Sequence, residues 1–317
     1  AWVKGKMQAA VDLGLDGWMA DFAEWLPWEA KLHDGRSGDE AHNDYPRLWQ
    51  KLNKAFFEQA KPDGDYAYFV RSGWTGTQAL APAIWAGDQN TDFKPDDGLP
   101  TVVTIGLNLA LSGVAIYGHD IAGYSSFISP PSDKELFYRW TQLGAFSPLM
   151  RTHHGTTGDK AWSFDKDAAT LKFFGRYARE HASLYPYLRR LAQLAAEKGW
   201  PLWRPMHLHY PKMDPTLGDQ FMLGSMLLVA PVVVRDQRER EVSLPPGRWY
   251  DYLKRGTSYL SDDPQGKRTK VSADLETIPV FARAGAVIPL LPEGIQTFAT
   301  GSKGLVDLAA VKDRYRV

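Results

Sequence analysis

The chain has 317 residues, 44% of them hydrophobic, and its 37 basic side chains balance 37 acidic ones. That length fits one large domain or a domain and a half, and the charge balance gives no electrostatic case for nucleic acid or an anionic membrane as a partner. No cysteine is present, which removes disulfides, thiolate nucleophiles and thiolate metal sites, fits a cytoplasmic location and leaves the periplasm open.

No run of 18 apolar residues occurs, so no transmembrane helix is expected. Aromatic residues are abundant, with 12 Trp, 14 Tyr and 14 Phe. Such a count suits stacking platforms for sugar rings, and it suits a large aromatic core equally well. The start, "AWVKGKMQAA", has neither an initiator Met nor a signal-peptide pattern, and reads as a cut inside a domain.

From residue 1 to about 215, short apolar runs alternate with helical stretches. "GWMADF" (17–22), "YAYFVRSG" (66–73), "APAIWAGD" (81–88), "GVAIYGHD" (113–120) and "PLWRPMHL" (201–208) each predict a buried strand. Strands that are apolar throughout suggest a parallel sheet covered on both faces. Alternation with helices indicates an α/β architecture. The clearest helical pattern lies over 164–199, where Leu171, Phe174, Tyr177, His181, Leu184, Leu188 and Leu191 recur at three- and four-residue steps. Asp165 or Asp167 can cap its start and Gly199 its end, and Pro186 should interrupt it. His181 reads as a hydrogen-bonded core histidine. After about 218, "MLLVAPVVV", "REREVSLPPGRWYDYL", "GKRTKVSA" and "TIPVFARAGAVIPLL" form strand-like runs between Gly and Pro clusters, an appended antiparallel β-module. The expected division is a partial barrel over 1–217, a β-domain over 218–292 and a further segment over 293–317.

In a barrel of alternating strands and helices, chemistry collects at the C-terminal strand ends. Those ends here offer Asp21, Arg71, Asp88 and Asp120, and "LMRTHHG" adds Arg151 and His153. Convergent carboxylates among aromatics suit glycoside hydrolysis, where one group is ionised and the other holds a proton for the leaving oxygen. Asp21, facing Arg71 or Arg151, would stay ionised beside a cation. Asp88 has Trp85 and Gly87 beside it, an apolar flank that favours the protonated form. The competing chemistry is metal binding, because His119 adjoins Asp120, His153 adjoins His154, and His207 and His209 would share one side of a strand. No ligand cluster accompanies them, so neither a metal nor another cofactor is expected.

These segments together carry a resemblance. "GLDGWMADFAEW", "RSGWTGTQ", "WAGDQNTDF", "GHDIAGY" and "MRTHHG", in this order, closely resemble glycoside hydrolase family 31, and "DQFMLGSMLLVAPVV" and "LPPGRWYDY" look like the β-domain that follows its barrel. The likeness covers about residues 5 to 292. It implies strands four to eight of a (β/α)8 TIM barrel followed by an antiparallel β-sandwich-type domain, and a retaining α-glycosidase acting on a small carbohydrate by double displacement. Asp21 matches the nucleophile and Asp88 the acid/base, with carboxyl groups expected about 5–5.5 Å apart. Arg71, Asp120, Arg151 and His153 match positions lining the sugar pocket, and Trp85 matches an aromatic beside the acid. Glu24 reads as a supporting or helix-capping carboxylate, and His119 and His154 as structural polarity.

Substrate class is divided. α-Glucosidase-like specificity stands first and sulfoquinovosidase is a close alternative, because "GWMADF", "WAGDQN" and Tyr124 look more like that bacterial branch. There a Tyr at the position of Tyr124 similarly contacts the sulfonate, with an Arg and a Trp from upstream of the nucleophile. Barrel strands four to eight alone would expose two sheet edges, so residues 1–317 by themselves are expected to hydrolyse poorly. A non-catalytic carbohydrate-binding remnant is the alternative of another class. The oligomeric state is not legible.

Overall fold

The computed structural model describes residues 2–317 except 154, 157, 255, 312 and 313. The chain divides into two units, 1–87 and 88–317.

The first unit runs α1 (Trp2–Asp12), β1 (Gly17–Met19), α2 (Gly38–Ala41), α3 (Tyr45–Ala60), β2 (Ala67–Val70) and β3 (Ala83–Trp85). Its strands are parallel and lie in chain order, with Gly17 opposite Ala67 and Phe69 opposite Ala83. A Cβ at Gly17 would fall 1.6 Å from the Ala67 carbonyl oxygen, so this register requires glycine there. Pro46 opens α3, where its missing N–H is not needed. The helix buries Gln50, Asn53, Phe56 and Phe57. Phe57 stacks on Tyr66 (4.7 Å) and lies 4.3 Å from Trp18. The Trp18 indole N–H donates to Asn53 Oδ1 at 2.8 Å, so a buried amide is satisfied rather than orphaned.

The second unit begins with α4 (Leu99–Leu111), β4 (Tyr117–Ile121), α5 (Lys134–Ala145), β5 (Leu149–Thr152), α6 (Ala168–Ser183) and α7 (Tyr185–Lys198). Strands β4 and β5 are parallel, from Gly118 opposite Leu149 to Ile121 opposite Thr152. Asp133 caps α5 and Asp167 caps α6, each accepting from a backbone N–H three residues on. The long pattern over 164–199 is two helices. It breaks at Leu184, ahead of Pro186 in the first turn of α7, and Gly199 closes α7 in the left-handed conformation. His181 is half-buried, and its Nδ1 donates to the Ala145 carbonyl at 3.2 Å. Burial holds its pKa below the usual histidine range.

The antiparallel part comprises β6 (Trp203–Arg204), the short α8 (Met206–His209), β7 (Phe221–Leu223), β8 (Leu227–Val229), β9 (Glu239–Leu244), β10 (Gly247–Asp251), β11 (Ser258–Ser261), β12 (Lys267–Ser272) and β13 (Val280–Arg283). One sheet has the order β11-β10-β13-β8-β7-β6, and β12 pairs with β9 alone. Met222, Leu228, Val242, Leu244, Trp249, Val271 and Phe281 form its core. Each such side chain contributes about 1.5–3 kcal/mol by leaving water.

Five strands are parallel among the described residues, three in the first unit and two in the second, followed by an antiparallel domain. The fold class is that of a partial β/α barrel with a β-domain. One strand of the sequence reading is misplaced. Trp203–Arg204 pairs antiparallel with β7, and Pro205 ends it ahead of a helical turn. The fifth parallel strand is instead Leu149–Thr152, whose apolar run stops after two residues at Arg151 and Thr152.

Candidate active site

In the first unit, Asp21 lies two residues beyond β1. The next two residues are left-handed without being glycine, Phe22 at φ 64° and Ala23 at φ 74°. Such backbone costs about 1–3 kcal/mol per residue and persists where the surroundings over-determine it. Here the Phe22 N–H donates to Asp21 Oδ1 at 2.7 Å, and Ser72 Oγ donates to the Phe22 carbonyl at 2.6 Å. Arg71, just past β2, is largely buried. Its Nε lies 3.2 Å from Asp21 Oδ1 and donates to Glu24 Oε1 at 2.7 Å, while its Nη2 lies 2.5 Å from Glu24 Oε1. The guanidinium also covers the Phe22 ring at 4.5 Å. One cation therefore joins two carboxylates, in short charge-assisted contacts.

Helix α3 sets the spacing of both strand ends. The Trp49 indole donates to the Ala20 carbonyl at 3.2 Å, next to Asp21, and the buried Gln50 amide donates to the Ser72 carbonyl at 2.7 Å, next to Arg71. The sequence reading passed over both residues, because a lone Trp-Gln pair on a helix face carries no distinctive signal. A cavity of about 460 Å³ opens beside them, lined by Glu24, His42, Asn43, Arg71, Ser72 and Trp74 among others. Trp85, expected at the sugar, is buried in β3 and packs edge-to-face on Phe69 at 5.3 Å, where it braces the strand end that precedes Asp88.

In the second unit, Asp88 is solvent-exposed. The apolar flank expected from its sequence neighbours is therefore not its setting there, since Trp85 turns into the core. Its neighbourhood is acidic instead. Burial, then the charges of Asp96, Asp92 and Asp88, hold the Asp97 pKa above the usual carboxylate range.

Asp120 and Arg151 are register partners on β4 and β5. Asp120 is fully buried, and its Oδ1 meets Arg151 Nη2 at 2.5 Å. Burying a charge is expensive without a partner, so losing either member of this pair would strand the other. The turn after β4 carries left-handed Ala122 and Gly123, φ 73° and 78°, and delivers Tyr124. The Tyr124 and Ser125 N–H groups both donate to the Gln89 carbonyl at 2.9 Å, so the loop with Tyr124 is fastened to the loop with Asp88. The Tyr124 ring stacks on His153 with centroids 4.9 Å apart. Gly155 lies under that tyrosine, since a Cβ there would fall 2.2 Å from the Tyr124 carbonyl oxygen. The unit thus gathers Asp88's loop, Asp120, Tyr124, Arg151 and His153. His154 lies outside the described residues.

His119 points into the core. Its Nδ1 accepts from the Trp140 indole at 3.0 Å, so Nε2 carries the proton and donates to Ser147 Oγ at 2.8 Å, which in turn donates to the Leu143 carbonyl at 2.9 Å. Burial, and behind it the charge of Arg151, lower its pKa to about 3, so the ring is neutral. His207 and His209 do not share a strand face, because 206–209 is helical. His209 instead stacks on Trp200 and bonds Arg204 at 2.9 Å. Among the described residues, no group of three His, Cys, Asp or Glu could hold a metal ion, and no helix is long and apolar enough to cross a membrane.

Comparison with known proteins identifies the relatives of the chain. The glycosyl hydrolases family 31 TIM-barrel domain matches residues 1–191, and the family's C-terminal domain matches 199–288. A sulfoquinovosidase of Escherichia coli (strain K12) is 38% identical over 287 residues, covering 90% of this chain and 41% of that protein. Alpha-glucosidase 2 of Bacillus thermoamyloliquefaciens is 31% identical over 308 residues, covering 91% and 37%. A solved family 31 sulfoquinovosidase from E. rectale, in complex with the aza-sugar inhibitor IFGSQ, superposes with a TM-score of 0.84 at 34% identity, covering 90% of this chain and 42% of that one. The chain spans about two fifths of the length of these relatives. With both domain matches in the order of the family, the chain belongs to glycosyl hydrolase family 31.

Proposed function

We propose that the protein is a retaining α-glycosidase in which Asp21 is the nucleophile and Asp88 the acid/base. The observation that carries this reading is the contact of Asp21 with Arg71. A carboxylate that attacks an anomeric carbon must be ionised and fixed in direction. Asp21 has a cation 3.2 Å from Oδ1, a backbone N–H on the same oxygen, and two strained residues behind it. Asp88, exposed on a loop fastened to that of Tyr124, is placed to exchange protons with a leaving group and then with water.

In the first step, an Asp21 oxygen bonds to the anomeric carbon as the glycosidic bond breaks, and Asp88 gives its proton to the departing oxygen. In the second, Asp88 takes a proton from water as that water displaces Asp21. Asp120 and Arg151, locked together, and His153 serve as hydrogen-bonding groups for the ring hydroxyls. A substrate lacking those hydroxyls would leave buried polar groups unpaired, which discriminates strongly.

For the sugar itself, sulfoquinovose is preferred over glucose. The names of the more similar relatives support it, and so does Tyr124, which stands where that branch has its sulfonate tyrosine and is stacked on His153. A glucoside is the second reading, supported by the alpha-glucosidase relative.

The test, on the complete gene product, is a panel of 4-nitrophenyl α-glycosides: sulfoquinovoside, glucoside, xyloside and galactoside. The sulfoquinovoside should turn over fastest, Asp21→Asn should abolish release, and Asp88→Asn should give a burst of nitrophenol followed by a stall. Wild-type rates in both variants would end the reading, and a faster glucoside would exchange the two substrates.

A further inference from the structure

Asp92 is a buried carboxylate that the two-acid reaction does not use. It follows Asp88 in the loop that leads to α4. Its Oδ1 accepts from the Lys94 N–H at 2.9 Å, which closes a local turn. Its Oδ2 accepts from Ser129 Oγ at 2.5 Å, across to the loop that carries Tyr124. A turn needs only the first of these bonds. Burying a carboxylate to make the second is costly, because both donors are neutral and the exposed Lys94 Nζ stands 3.9 Å away. Gly98 makes room for it, since a Cβ there would fall 2.4 Å from Asp92 Oδ1.

The remaining bonds show what this carboxylate joins. Within its own loop, the Asn90 N–H donates to the Asp97 carbonyl at 2.9 Å and the Leu99 N–H to the Asp92 carbonyl at 3.0 Å. Toward the second loop, the Thr91 N–H donates to the Ser125 carbonyl at 3.0 Å and Thr91 Oγ1 to the Pro130 carbonyl at 2.5 Å. Asp92 is therefore the point where closure of the Asp88 loop and its attachment to the Tyr124 loop meet. Apolar burial gives that second loop little support, because Phe127 and Ile128 are both exposed. Its position relative to Asp88 rests on these hydrogen bonds.

We propose that Asp92, acting through Ser129, is a positioning residue for the acid/base Asp88. The inference rests on the glycosidase reading. An acid protonates a leaving oxygen only within hydrogen-bond reach of it, and a displacement of about 1 Å can cost about 10²-fold. The Asp92–Ser129 clasp holds the backbone beside Asp88 against the loop of Tyr124. Without it, Asp88 drifts from the departing oxygen. The contacts of Asp21 with Arg71 and the Phe22 N–H are made within the first unit and do not pass through Asp92. The defect is therefore confined to proton delivery.

The experiment, on the complete gene product, compares kcat/KM for the methyl and the 4-nitrophenyl α-glycoside of the preferred sugar. Nitrophenoxide departs with little proton help, whereas methoxide must be protonated as it leaves. Asp92→Ala should lower the methyl-to-nitrophenyl ratio by about 10²-fold. Ser129→Ala should lower it in the same direction, and the double variant no further than Asp92→Ala, because the two residues act as one clasp. Asp92→Asn should keep most of the ratio, since its carbonyl can accept from Lys94 and its amide can donate to Ser129 Oγ. A variant that merely folds less well lowers both rates together and leaves the ratio unmoved. An unmoved ratio in both alanine variants, or a double variant that falls by the product of the two single losses, would overturn the role. If Asp92→Ala yields no folded protein, Ser129→Ala decides: a lowered ratio upholds the clasp and an unmoved one refutes it. A parent that cleaves neither glycoside would overturn the glycosidase reading itself, and this role with it.

Discussion

Arg139 offers a demanding test of how the second unit is held together. It is fully inaccessible on α5. Its Nη1 donates to Gln142 Oε1 (3.2 Å), the Asp274 carbonyl (3.0 Å) and the Thr277 carbonyl (3.1 Å), and its Nη2 to the Gln237 and Ala273 carbonyls, both at 2.7 Å. Burial, and behind it the Arg238 charge, pull its pKa down to about 10, so it remains protonated at neutral pH. A single side chain thereby joins α5, the helix that leads into β5 and Arg151, to the loops flanking β9 and β12. Replacement by Met keeps much of the volume and removes the donors. The Asp274 carbonyl retains the Thr277 N–H, and Gln237 retains Arg238. Gln142 Oε1 and the Ala273 and Thr277 carbonyls lose the donors described for them. Three stranded acceptors at roughly 1–3 kcal/mol each give about 3–9 kcal/mol. Removing a buried charge returns part of that. The expected net loss is about 3 kcal/mol, a fall in melting temperature of roughly 6–12 °C by calorimetry. Arg139→Lys should fall between, since an ammonium cannot span four carbonyls. A Met variant melting within about 2 °C of the parent would show that the guanidinium cage contributes nothing net.

Two further outcomes follow from the same geometry. The His119 pKa is lowered to about 3, so between that value and the unfolded value of about 6.5 the unfolded chain binds the extra proton. Stability from this group is complete above about pH 6.5 and falls with acidification by up to about 1.4 kcal/mol per pH unit. Urea titrations at pH 7 and pH 4.5 should show His119→Gln losing about 2–3 kcal/mol less than the parent, and parallel losses would remove His119 as the acid-sensitive group. Gly155→Ala must displace backbone at Tyr124, because its Cβ would lie 2.2 Å from that carbonyl oxygen. An overpacking loss of about 1–3 kcal/mol is expected by urea titration, together with a broken Tyr124–His153 stack. An unchanged midpoint would mean that the turn relaxes freely.

The sequence by itself determined a good deal. Apolar runs over 17–22, 66–73, 81–88 and 113–120 located four of the five parallel strands, since a strand covered on both faces must be apolar along its length. The pair Asp165 and Asp167, of which the structure uses Asp167, with Pro186 and Gly199 marked the ends and the break of α6 and α7, because capping and proline geometry are local. The order of the motif segments identified the family. Tertiary structure alone decided what depends on residues distant in the chain. Leu149–Thr152 became a strand through pairing with β4, and Trp203–Arg204 joined the antiparallel sheet through pairing with β7. Asp21 met Arg71 while Arg151 went to Asp120, a choice that the spacing of charges along the chain left open. The α3 anchors Trp49 and Gln50 act on carbonyls 29 and 22 residues away, so no local pattern announces them. Hydrophobic periodicity and caps are written within a few residues, whereas the partner of a buried charge is fixed only when the chain folds back and water is excluded around it.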